Sequence, residues 1–86
     1  MRRGPEHFGE QELSLVYIAK RLHDALRIEG ILTSAGVDFL VEPDRYSGGI
    51  IFRAERVGAF FYVAPEAETA AREVLRTAGF TPYATE

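Results

Sequence analysis

The sequence predicts an α+β fold in which two helices cover one face of an antiparallel sheet. Three observations lead there. Several short segments are apolar or alternate apolar with polar residues, which is the pattern of strands. Two longer segments repeat apolar residues at spacings of three and four, which is the pattern of helices. Each helical segment ends on a glycine, Gly36 or Gly79, a residue that takes the left-handed cap conformation at little steric cost.

The elements follow in order. Residues 1–12 (MRRGPEHFGEQE) lack periodicity and carry Gly4, Pro5 and Gly9, so they read as a flexible arm ahead of a single domain over 13–86. Leu13 to Ala19 is short and apolar on both faces, as a covered strand is. From Lys20 to Ala35 a helix is expected, with Leu22, Ala25, Leu26, Ile28, Leu32 and Ala35 as its inward stripe. Gly30 interrupts it, and close packing of the helix on the sheet would explain the lost side chain. Val37 to Glu42 alternates, placing Val37, Phe39 and Val41 on one face. Pro43 to Gly49 is turn chemistry throughout. Ile50 to Ala54 is the next strand, Glu55 to Gly58 a turn, and Ala59 to Ala64 a further strand. Strands so closely connected predict an antiparallel meander. Pro65 opens the second helix, with Glu66 and Glu68 near its positive end and Arg72 and Arg76 near its negative end. Its apolar face is Ala67, Ala70, Ala71, Val74, Leu75 and Ala78. Phe80 to Ala84 completes the order as a short strand that Pro82 confines to an edge.

The resulting βαββαβ order, with one extra hairpin strand, is that of a ferredoxin-like two-layer sandwich. Its second sheet face has no covering layer within the chain. Because Phe60, Phe61 and Tyr62 are consecutive, neither face of that strand is free of aromatics. An open apolar sheet face predicts self-association, and a homo-oligomer is expected.

Composition narrows the function. The 86 residues contain no cysteine, which excludes disulfides, thiolate metal sites and cysteine nucleophiles. Two histidines, His7 and His23, do not make a structural zinc site unaided, so neither metal nor cofactor is expected. A net charge of −3 argues against a dedicated nucleic-acid binder. No segment is apolar over the roughly 20 residues a membrane span needs, and Arg2 and Arg3 are not followed by a signal-peptide core, so a cytoplasmic location is expected.

No catalytic motif emerges. Gly48-Gly49 precedes a strand and lacks the lysine of a phosphate loop. Ser14, His23 and Asp24 supply triad chemistry on paper, but no nucleophile elbow surrounds the serine. Glu66 with Glu68, and Glu42 with Glu55, form no evident acid–base pair. The most polar loop is the better candidate. Arg45, Tyr46 and Ser47, with Arg53 and Arg56 from the neighbouring strand and turn, offer guanidinium forks for a phosphate or carboxylate.

Residues Ala25 to Val41, the Gly48-Gly49 pair and Val63 to Glu66 carry a family likeness. Over about residues 13 to 80 the chain resembles short bacterial domains grouped as prokaryotic signal-transducing proteins, near the PII-type nitrogen-regulatory fold. That resemblance implies a regulatory or ligand-sensing role, oligomeric and without catalysis. The loop over 43–49 is much shorter than the long PII-type loop, and the Lys and Arg nucleotide motifs of those proteins have no match, so no functional residue carries over from it. The expected function is a non-catalytic module that binds a small effector or a protein partner through the 43–49 loop and the open sheet face. The alternatives are an ACT-like amino-acid-binding domain, using the backbone near Ala19 and Lys20 at a dimer interface, and a minor enzyme with a pocket around His23 or Glu42.

Overall fold

A computed structural model describes residues 1–43 and 58–83. The elements are helix α1 (Pro5–Phe8), strand β1 (Ser14–Ala19), helix α2 (Leu22–Ser34), strand β2 (Phe39–Pro43), strand β3 (Ala59–Val63) and helix α3 (Glu68–Thr77), the last entered through a 3-10 turn at Pro65–Ala67. The sheet is antiparallel with β3 in the centre, in the order β1-β3-β2.

The register explains the centre. Phe39 lies opposite Val63, Val41 opposite Phe61 and Pro43 opposite Ala59. On its other edge β3 pairs Ala59 with Ala19 and Phe60 with Ile18. Direct pairing of β2 with β3 leaves no place for another strand between them, which corrects the expected meander. That predicted strand itself falls outside the described residues, as does the turn over 55–57.

Alternation then sorts the side chains. Ala59, Phe61 and Val63 of β3 face a core shared with Val16, Phe39, Ala25, Ile28, Leu32, Ala71 and Leu75, so both long helices pack on one sheet face. Phe39, Phe61, Ile28, Leu32 and Leu75 are fully buried. Burying a Phe or Leu side chain contributes about 1.5–3 kcal/mol each, so this cluster supplies most of the fold's driving force. On the opposite face stand Leu15, Tyr62 and Leu40 in one row and Ile18 and Phe60 in the next. Leu40 is buried and the other four are half-buried, so this face is not openly solvated at these positions.

A bulge in β1 falls between Leu15 and Tyr17. The extra residue, Val16, is fully buried. A bulged residue loses its ladder partner, and Tyr83 supplies one, its N–H donating to the Val16 carbonyl at 2.7 Å. Residues 80–83 make this contact without forming the expected strand.

Both long helices stop in the same way. The Val37 N–H donates to the Leu32 carbonyl and the Gly36 N–H to Thr33, with Gly36 at φ 77°. Likewise Phe80 N–H donates to Leu75 and Gly79 N–H to Arg76, with Gly79 at φ 96°. These are Schellman closures, which satisfy the last helical carbonyls and turn an apolar residue back onto the core.

Two expectations about α2 are corrected. Leu22 and Leu26 are not part of the inward stripe; both are exposed, while Ala25, Ile28 and Leu32 are buried. The stripe is narrower because a single helix–sheet seam covers less than half the helix circumference. Ala70 of α3 is exposed for the same reason. Gly30 is not buried against the sheet: it is exposed, and a Cβ there would meet nothing within 4 Å.

The two glycines therefore have opposite expected responses. Gly30→Ala should stabilise the protein by up to about 1 kcal/mol, from helix propensity alone. Gly36→Ala should destabilise it by about 1–2 kcal/mol, because an L-residue is strained at that φ. Urea denaturation of the two variants checks both signs. In the core, Leu75→Ala should cost about 2–5 kcal/mol by the same measurement.

Candidate functional site

The residues selected from the sequence as ligand contacts, Arg45, Tyr46, Ser47, Arg53 and Arg56, all lie outside the described residues. The anchor points of the segment that carries them are described. Ala19, Ala59 and Pro43 lie side by side across the three strands. This end of the sheet thus holds both roots of the 44–57 connection. It also holds the β1–α2 turn, where Lys20 and Arg21 are exposed. No ion pair joins either cation to another described residue. Arg21 is the N-cap residue of α2 and makes no side-chain cap bond. Cations at a helix N-terminus oppose the helix dipole, which Asp24 in the first turn complements.

The opposite end of the sheet is occupied by internal pairing. Arg72, only 16% exposed, is the hub. Its Nε donates to Glu68 Oε2 at 2.9 Å, one Nη donates to the Leu15 carbonyl at 3.4 Å, and the other donates to the Tyr83 carbonyl. One side chain thereby ties α3 to β1 and to residue 83. Hydrogen bonds from Arg72 and then from the Ser14 hydroxyl hold the Glu68 carboxyl below the usual glutamate range. A groove of about 490 Å³ runs beside this pair, lined by Ser14, Leu15, Tyr62 and Pro65 among others. Two of its charged groups, Glu68 and Arg72, are paired with each other, so the pair acts as a clasp.

A second groove, of about 440 Å³, lies beneath α1 and is lined by His7, Phe8, Asp38 and Glu66 among others. Asp38 is the focus. Arg3 Nε donates to Asp38 Oδ1 at 3.1 Å, and His7 Nε2 is 3.3 Å from Oδ2. The Arg3 hydrogen bond holds the Asp38 carboxyl below the usual aspartate range. Backbone pairing adds to this, with Arg3 N–H donating to the Phe39 carbonyl at 2.8 Å and Phe39 N–H to Met1 at 3.1 Å. Phe8 is buried. The segment read from sequence as a flexible arm makes all of these contacts.

The triad residues do not converge. Ser14 opens β1, whereas His23 is exposed on the first turn of α2, beyond the other end of the strand. Five strand steps alone separate those ends by about 17 Å. Among the described residues, no group of three or more His, Asp or Glu side chains is arranged to hold a metal ion. Tyr17 and Tyr62 have hydroxyl pKa values raised first by burial and then by Asp24 and Glu42 respectively, so both phenols stay neutral. No helix among the described residues is long and apolar enough to cross a membrane.

Compared with known proteins, the chain matches no family model, no curated protein and no solved structure.

Sequence reasoning noted Glu68 and Arg72 only as dipole partners. Their i,i+4 spacing was the legible signal for a pair. Asp38 and Arg3 are separated by 35 positions and gave no local signal.

A group whose pKa is lowered by folding adds stability at higher pH and loses it as pH falls. The contributions of Asp38 and Glu68 are therefore complete above the ordinary carboxylate range and lost on acidification. The melting temperature should be level from neutral pH downward and fall below about pH 4. Asp38→Asn should flatten part of that acid limb and speed amide exchange at Arg3 and Phe39 at neutral pH. Hydrogen exchange read residue by residue checks this.

Proposed function

We propose that the protein is a non-catalytic regulatory module that binds a small anionic effector at the end of the sheet where Pro43 and Ala59 meet. One observation carries the reading. The register of β1, β3 and β2 sets Lys20 and Arg21 beside both anchor points of a segment containing Arg45, Arg53 and Arg56. Lys20 and Arg21 are exposed at that end, and the segment rooted there carries three further arginines in its sequence, groups whose forks suit phosphate or carboxylate. Tyr46 and Ser47 in the same segment add hydroxyl donors.

The fold we infer is ferredoxin-like. The order β1-β3-β2 with antiparallel pairs on both sides of β3 supports it. So does the Tyr83–Val16 hydrogen bond, which sets residue 83 beside β1, where a fourth strand of that fold would run. The resemblance to prokaryotic signal-transducing domains agrees with an effector-sensing role. Self-association through the strip formed by Leu15, Ile18, Phe60 and Tyr62 belongs to the same reading, since paired sheet faces would complete the burial of these half-buried side chains.

Thermal-shift measurements against nucleotides, inorganic phosphate and amino acids test the effector. A ligand at a hundred times its dissociation constant should stabilise the fold by about 2.7 kcal/mol. Arg45→Ala, Arg53→Ala and Arg56→Ala should each weaken that response. A response that is absent for every anion, or unchanged in all three variants, would contradict the proposal.

A further inference from the structure

The outward face of α2 is at odds with a helix that only covers a sheet. Leu22 and Leu26 are 57% and 58% exposed, among the most exposed large apolar side chains of the described residues. They stand one turn apart, so they form a single patch. Gly30 continues the line another turn and leaves open space beside it. Around the patch the unpaired charge is positive: Arg21 and Arg27 are exposed, while Glu29, one turn beyond Leu26, is paired with Arg2 at 3.3 Å. Arg27 rests its guanidinium 5.1 Å from the Phe80 ring centroid, a contact that holds the group in place and leaves its charge intact. Neither Arg21 nor Arg27 has an ion-pair partner among the described residues. The other acid of this helix, Asp24, is half-buried and near enough to Tyr17 to raise its phenol pKa.

We propose that this face docks an acidic amphipathic helix of a partner protein, whose apolar side chains cover Leu22 and Leu26 and whose carboxylates meet Arg21 and Arg27. Charge complementarity selects this occupant. A second copy of the chain would bring the same cations face to face. An anionic membrane would need a wider apolar surface than two leucines, and the other side of α2 is already committed to the core. The helix-on-helix mode uses anchors one turn apart, which is the spacing present here. The open line at Gly30 lets the partner helix lie close. This inference shares Arg21 with the effector reading but uses nothing of the 44–57 segment, and Leu22 and Leu26 lie outside that site, so the leucine variant separates the two.

The test is a titration of the whole chain, labelled with nitrogen-15, with a synthetic amphipathic helix of about 20 residues bearing Leu on one face and Glu on the other. Saturable amide shifts confined to α2 and its N-terminal turn are expected, weakening as salt is raised. Leu22→Ala with Leu26→Ala should abolish them, and Arg21→Glu with Arg27→Glu should weaken binding by about tenfold or more. Circular dichroism should show both double variants folded, since neither pair lies in the core. Equal binding by the same peptide with Lys in place of Glu would overturn the proposal. So would absence of shifts at millimolar peptide, shifts centred away from α2, binding of phosphatidylglycerol vesicles in preference to the peptide, or self-association that disappears in the leucine variant.

Discussion

The structure depends on β3 being paired along both edges. Five residues, Ala59–Val63, supply hydrogen-bonding groups to β1 on one side and β2 on the other. A central strand must also have a covered face, and Ala59, Phe61 and Val63 meet that demand with near-zero exposure. Every large element is positioned by this arrangement. Helices α2 and α3 lie over the Phe61 side because the side chains that repel water are there. The bulge at Val16 is tolerated because it adds one more buried side chain to the same cluster.

Much of this order was legible because it is written in local periodicity. The β1, α2 and α3 segments declared themselves, and Gly36 and Gly79 marked both helix ends through the backbone conformation they alone adopt easily. What was not legible required knowledge of which strands meet. Residues 37–42, 50–54 and 59–64 all carry strand chemistry, and proximity in sequence suggested pairing in that order. The pairing of Phe39 with Val63 is set by the shared core, which no local pattern encodes. Leu22 and Leu26 misled for a related reason. Leucine at helical spacing looks inward-facing whatever the actual width of the seam.

The candidate site rests on residue types read from the sequence, and the structure describes only where its segment is rooted. An arginine-bearing loop between strands is a reasonable sequence signal, and the register locates its two ends beside Lys20 and Arg21. The clasps at the other end of the sheet had little such signal. Asp38 with Arg3 joins positions far apart in the chain, and Arg72 becomes an organising residue only because the Leu15 and Tyr83 carbonyls arrive beside it. The described contacts thus gather charged pairing at one end of the sheet, while Lys20 and Arg21 at the other have no ion-pair partner among the described residues.

The short stretch from Met1 to Arg3 beside β2 has a consequence for how the protein behaves in a crowded solution. An edge strand is an invitation to another chain, because its outward N–H and C=O groups can extend the sheet indefinitely. On β2 the outward-facing positions are Phe39, Val41 and Pro43. Phe39 is occupied by Met1 and Arg3, and proline has no N–H to offer. Among the described residues of this edge only Val41 retains a donor that a stray strand can use, too little to start a ladder. Two hydrogen bonds and one imino acid thereby do on this edge what a larger protein accomplishes with a covering helix: they make growth of the sheet from β2 unproductive.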